Sequence, residues 1–225
     1  VLTEAIGNLL PSAVGVAISP VPIIAVILML GTPKAKSTGT AFAAGWVAGL
    51  VIVSAIVLLV TDTASDPDSA AAASVNWGQV AFGALFLVLA VRQWRSRPQG
   101  DAETEMPKWM AAIDTFSAGK ALGLGAVLSG VNPKNLALTA AAAASIAQAG
   151  IGGCDAAIAA GVFVAVASLT VVGPVAFSLV ARDAAAGPLA SLKDFLSEHN
   201  SAIMITVLAV LGVKLLGQGL GAALG

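Results

Sequence analysis

Apolar residues run through this chain in six stretches, each long enough for a helix across a ~30 Å hydrocarbon core. They cover about residues 4–30, 37–60, 75–94, 118–147, 155–180 and 200–220. Between them lie short turns and three polar connections, at 62–74, 92–120 and 183–198, read as loops. Within the second of these, residues 106–116 alternate so that Trp109, Ile113 and Phe116 share one side. That spacing predicts a short amphipathic helix lying on the membrane. Trp77 and Trp94 flank the third stretch and suit an aromatic belt. Gly45 and Gly49 suit close helix packing, and Gly173-Pro174 predicts a kink in the fifth stretch.

Two stretches contain a break. In the first, Ser19-Pro20-Val21-Pro22 removes two backbone donors, which frees the carbonyls of Val16 and Ile18. In the fourth, Ser129-Gly130-Val131-Asn132-Pro133-Lys134-Asn135 does the same to the carbonyl of Ser129 and biases Asn132 out of the α region. Ala17–Pro22 aligns with Val127–Pro133 with one insertion, and Phe42–Gly45 aligns with Ile158–Gly161, at separations of about 110 to 116 residues. Three helices per copy is an odd number, so two such copies would cross in opposite senses. The expectation is an all-α integral membrane protein, six spans as an inverted 3+3 repeat. The first repeat is 1–95, a cytoplasmic linker follows at 96–117, and the second repeat is 118–225.

Charge sets the orientation. Nine basic residues, among them Lys34, Arg92, Lys120, Arg182 and Lys193, fall in or beside the first, third and fifth connections; the second and fourth have none. By the positive-inside rule those three connections are cytoplasmic and both termini are outside, in a plasma membrane. No basic segment precedes the first apolar stretch, so no cleaved signal peptide is expected.

Composition narrows the function. With 58% hydrophobic and 10% charged residues, the chain falls far below the charge of a soluble domain. A net charge of −1 leaves no basic footprint for nucleic acid. A single cysteine, Cys154, excludes an internal disulfide, and no nucleophile–base pair or metal cluster is visible, so neither an enzyme, a cofactor nor a metal is expected. His199, beside Glu198 and Asn200, reads as interfacial.

The candidate chemistry lies at the breaks. Lys134 sits some 21 to 24 Å along its helix, past the middle of the core, where a lone lysine costs at least ~2.5–3.5 kcal/mol. No Asp or Glu lies within an apolar stretch, so the expected counter-charge is a substrate anion. Ser19, Ser129, Asn132 and Asn135 add hydrogen-bonding groups, and Pro20, Pro22 and Pro133 hold the backbone open. Lys214, in the sixth stretch, is a second candidate contact, and Trp46 reads as packing. Gly45/Gly49 and Gly217/Gly221 permit a homodimer.

These residues also carry a resemblance. Ser19-Pro20-Val21-Pro22-Ile23-Ile24-Ala25 resembles the first-helix signature of the actinobacterial Sap/GAP family, the sulfolipid- and peptidoglycolipid-addressing proteins of the LysE transporter superfamily. Ala121–Ser129 followed by Val131-Asn132-Pro133-Lys134-Asn135 resembles that family's fourth-helix signature, and Gly212-Val213-Lys214 its last helix. The resemblance implies a bacterial inner-membrane exporter of complex envelope lipids, acting directly or alongside envelope-lipid export machinery. Its acidic second connection, with Asp62, Asp66 and Asp68, departs from the family pattern. The Asn-Pro-Lys core, similar to amino-acid exporters of the same superfamily, keeps a small-molecule substrate open. A non-transporting scaffold docking a partner through 106–116 is a third reading.

Overall fold

The computed structural model describes residues 1–62, 70–96 and 108–224; side chains at 60–62, 70–76, 108–109, 111, 148 and 222–224 are outside the description. Among the described residues the chain is helical, without strands. Its elements are α1 (Leu2–Ala17), α2 (Pro20–Leu30), α3 (Ala35–Asp62), α4 (Ala70–Arg95), a 3₁₀ segment (Lys108–Thr115), α5 (Ala118–Gly130), α6 (Pro133–Gln148), α7 (Gly153–Val180), α8 (Arg182–Glu198) and α9 (Asn200–Leu224). Among the described residues, three helices are long and apolar enough to cross a membrane: Ala35–Leu59, Gly153–Val180 and Asn200–Gly221. The pair α1 and α2, bent by 54° at its junction, makes a fourth if counted as one span.

The chain stops its helices where its prolines dictate. Pro20 and Pro22 stand at the start of α2 and Pro133 at the start of α6. A proline is tolerated there because the first N–H groups of a helix have no partner anyway. Pro174 lies inside α7, which continues through it as one helix.

The core is centred on α2 and α6. In α2 every residue but Val21 and Leu28 is buried. In α6, Ala137, Leu138, Ala141 to Ala144 and Ile146 are buried. The alanines let α1, α3 and α7 approach α6 closely. The most extensive helix contacts are α4 with α9 and α3 with α5, so the N-terminal and C-terminal halves interlock.

Glycine makes the α3–α5 contact possible. A Cβ on Gly45 would run into the Leu122 carbonyl, and one on Gly125 into the Phe42 carbonyl. Gly49 faces Ser129 and Ala126 in the same seam. Gly45 and Gly49 are therefore spent inside the chain and cannot supply a dimer face; Gly217 and Gly221 have open space before them. Trp46 is fully buried in the core, and Trp77 is exposed near an end of α4.

Two connections differ from their sequence reading. Residues 183–198, read as a loop, belong to α8. Its buried Ala185, Leu189 and Leu196 recur at helical spacing on one face. Pro188 masks that pattern in the sequence. The stretch read as a membrane-surface helix is the 3₁₀ segment, with Met110 and Ile113 buried and the segment packed on α2. Ile113 and Phe116 of its apolar side are thus used within the protein. Residues 106 and 107 lie outside the described residues, as does the rest of 97–107.

A bulky side chain in the α3–α5 seam has nowhere to go but into backbone. Gly45→Leu and Gly125→Leu are each expected to cost at least the ~1–3 kcal/mol typical of overpacking. Thermal unfolding in detergent checks this, with Gly161→Leu, whose Cβ meets open space, expected to melt like the unaltered protein.

Candidate functional site

A helix leaves its last four carbonyls without N–H partners, and inside a membrane no water satisfies them. The end of α1 is such a case, and each freed carbonyl there has a defined partner. Val14 accepts from the Ile18 N–H at 2.8 Å. Gly15 accepts from Lys134 Nζ at 2.9 Å. Val16 accepts from Ser19 Oγ at 2.7 Å. Ala17 accepts from the Ser19 N–H at 2.9 Å and from Thr170 Oγ1, on α7, at 2.7 Å. Ile18 accepts from Lys134 Nζ at 3.2 Å.

Lys134 is the centre of this arrangement. It lies in the first turn of α6 and is only 6% exposed. Its third bond, at 2.6 Å, goes to Ser19 Oγ. An ammonium has three N–H donors, so all three are used. Ser19 accepts from Lys134 and has one proton to give. The 2.7 Å bond to Val16 takes that proton in preference to the 3.3 Å contact with Asn135 Oδ1.

The electrostatics reinforce the geometry. The C-terminal end of α1 carries the negative pole of its helix dipole, and a cation there is stabilised. The ammonium reaches that pole from another helix, across a chain separation of 119 residues at Gly15. It therefore acts as a C-cap in trans. Lys134 neither rises toward a membrane surface nor keeps a donor free.

The second break is closed by asparagines. Asn132 caps α6, its side chain accepting from the Lys134 N–H at 3.0 Å. Asn135, fully buried, donates through Nδ2 to the Leu128 carbonyl at 2.9 Å, which ties the end of α5 to the start of α6. Val127 accepts from both Val131 and Asn132 N–H groups.

The structure thus brings Ser19, Lys134 and Asn135 into one cluster, with Asn132 at its edge. Pro20, Pro22 and Pro133 flank it as helix starters. Ser129 is buried but faces the α3–α5 seam, donating to Ala126 at 3.2 Å. Lys214 is not part of the cluster. Its Nζ donates to the Asn8 carbonyl at 3.1 Å, about 10 Å along α1 from Gly15. Gly15 and Thr170 belong to the cluster and were missed from sequence. Thr170 had one signal, a hydroxyl four residues before Pro174.

An all-helical, apolar chain whose broken helix ends are sealed by a buried cation is a membrane protein with a polar centre. A family model describing Sap, sulfolipid-1-addressing protein, matches residues 9–221, and the chain belongs to that family. Neither the curated proteins nor the solved structures contain a match to the chain.

Removing the ammonium leaves the buried Gly15 carbonyl and the part-buried Ile18 carbonyl without that donor, at ~1–3 kcal/mol for the buried one. Lys134→Met is expected to lose about 2 kcal/mol or more in detergent unfolding, Ser19→Ala and Asn132→Ala about 1 kcal/mol each. Equal melting of Lys134→Met and the unaltered protein would contradict this account of the α1 end.

Proposed function

We propose that this chain is a bacterial inner-membrane exporter or flippase-like transporter for an envelope lipid with an anionic head group. Its family supports a role in lipid addressing. The single observation that carries the mechanism is the buried Lys134 ammonium, held by Gly15, Ile18 and Ser19 at the junction of two helix breaks. In this reading α1–α2 and α5–α6 are each one broken span, and six spans form an inverted repeat, residues 1–95 and 118–225, with both termini outside.

Packing suggests how such a device opens. In an inverted repeat α1 and α6 are the outer half-helices, and α2 and α5 the inner ones. The outer pair is packed together, whereas α2 and α5 make no comparable contact. The arrangement corresponds to a transporter closed on the outside, with Lys134 as the latch.

The latch couples opening to binding. Because all three ammonium donors are used, an anion can reach Lys134 only by displacing at least one of Gly15, Ile18 and Ser19, at the end of α1 and the junction that follows it. A head group that binds this way is favoured only where α1 and α6 part, so binding itself shifts the population toward the outward-open form. Ser19, Asn132 and Asn135 then orient the head group, and release outside lets the carbonyls recapture the ammonium.

The Asn-Pro-Lys core also favours a small-molecule exporter, with the same latch and a smaller anion. The scaffold reading is the less favoured one, since Met110 and Ile113 of its docking stretch are buried within the protein.

Proteoliposomes carrying a fluorescent sulfated glycolipid test the proposal. Lys134→Met that inserts and purifies as a monodisperse protein is expected to move the probe at least about tenfold more slowly, and Lys134→Arg to retain part of the rate. Wild-type transport by Lys134→Met would overturn the proposal, and competition by free amino acids would favour the small-molecule reading. For the gate, in a Cys154→Ser background, Val21→Cys on α2 and Leu128→Cys on α5 are expected to react with an impermeant maleimide from the cytoplasmic side only.

A further inference from the structure

A hydroxyl inside an apolar helix ordinarily donates to the carbonyl three or four residues back, the only acceptor within reach. Ser145 donates to Ala141 and Thr206 to Ala202. Ser54 on α3 and Ser168 on α7 do not. They are 5% and 4% exposed, and neither hydroxyl has a partner. Trp46 Nε1 and Thr139 Oγ1 are also buried without partners, on α3 and α6.

Ser54 and Ser168 line one groove, of about 720 Å³, between α3 and α7. Every other residue along it is aliphatic or glycine, among them Val51, Leu58, Gly161 and Val172. Val51 and Leu169, on its two walls, are 48% and 64% exposed. Both helices have the length and apolarity of a membrane span, so the groove opens to hydrocarbon. On α7 it runs from Ala157 to Gly173, about 24 Å of helix.

Depth decides what can satisfy the serines. Ser54 lies about 12 Å from the Asp62 end of α3, and Ser168 at least about 18 Å from either end of α7. Both are below the interface, where the ester groups of bulk lipid remain, so ordinary chains present only methylenes to them. A buried hydroxyl facing methylenes is unfavourable. A charged or sugar head group would fit no better, because two hydroxyls would leave most of its polar atoms unpaired against aliphatic walls. A long chain with an oxygen part-way along it matches both the walls and the hydroxyls.

We propose that the α3–α7 groove binds the tail of a lipid whose acyl chain carries a hydroxyl or carbonyl oxygen in its interior, which pairs with Ser54 or Ser168 once that hydroxyl turns toward the groove. The proposal rests on the lipid reading above and extends it from the head group to the tail.

The test uses the purified full chain in detergent micelles, photolabelled with a diazirine-bearing stearic acid and mapped by mass spectrometry. Unlabelled stearic acid and a mid-chain hydroxystearic acid compete. Label is expected on α3 and α7, with hydroxystearate competing about five- to tenfold better than stearate, the worth of about one hydrogen bond. Ser54→Ala with Ser168→Ala is expected to shrink that advantage below about twofold while leaving stearate competition unchanged. Gly161→Leu, which places a side chain in open space within the groove, is expected to remove the label. Equal competition in the unaltered protein, an advantage that survives the double substitution, or label confined to other helices would overturn the tail site. Selective binding in a chain whose Lys134→Met form transports normally would overturn the Lys134 head-group site and leave the tail site standing; absence of selectivity in a chain that transports through Lys134 would do the reverse.

Discussion

The contact between the Lys134 ammonium and the freed end of α1 is the constraint on which the centre of this protein depends. Prolines at 20 and 22 strip α1 of the donors that would have continued its helix, and hydrocarbon offers no water in exchange. The chain answers with a cation supplied from the start of α6. A buried lysine in an apolar chain is costly alone, and so are buried free carbonyls. Each removes the cost of the other, so neither break is stable without its counterpart. Thr170 on α7 and Asn135 on α6 complete the account, drawing a third helix and the end of α5 into the same cluster.

The rest of the bundle serves to bring those two ends together. Alanine along α6 permits α1, α3 and α7 to crowd around it, and glycine at 45, 49 and 125 brings α3 against α5 at backbone distance. The interlocking of the two halves places Ser19 and Lys134 within 2.6 Å although they are 115 residues apart. That close seam contrasts with the α3–α7 side, where the helices leave a groove. Under the transporter reading the two regions divide the work: a polar latch at the centre for a head group, and an apolar channel at the flank for a tail.

Part of the site was legible because its chemistry is local. Proline cannot donate, so the freed carbonyls of Val16 and Ile18 follow from residue order, and both are among the acceptors at the cluster. The partners of those carbonyls were not legible. Lys134 invited an anion because no carboxylate lies in the apolar stretches, yet backbone oxygen fills the role in this conformation. Backbone carbonyls carry no signature in a sequence, which is why Gly15 went unnoticed. Lys214 differs: a lysine in a similar setting, it bonds to the Asn8 carbonyl, outside the cluster. The helix α8 was hidden by Pro188 and by its charges, although the spacing of Ala185, Leu189 and Leu196 was present.

The sequence by itself determined the class and the breaks. Long apolar stretches dictate helices in a membrane, and proline dictates where helices start, because both effects act within a few residues of the chain. Only the tertiary structure decided what closes each break and which seams are tight. Those choices depend on groups more than a hundred residues apart meeting at hydrogen-bond distance, and on whether a Cβ has room beside a neighbour's backbone. Neither is encoded in any local pattern. The two unpartnered serines belong to the same category: each is ordinary in its own helix, and only the groove between the helices makes them a pair.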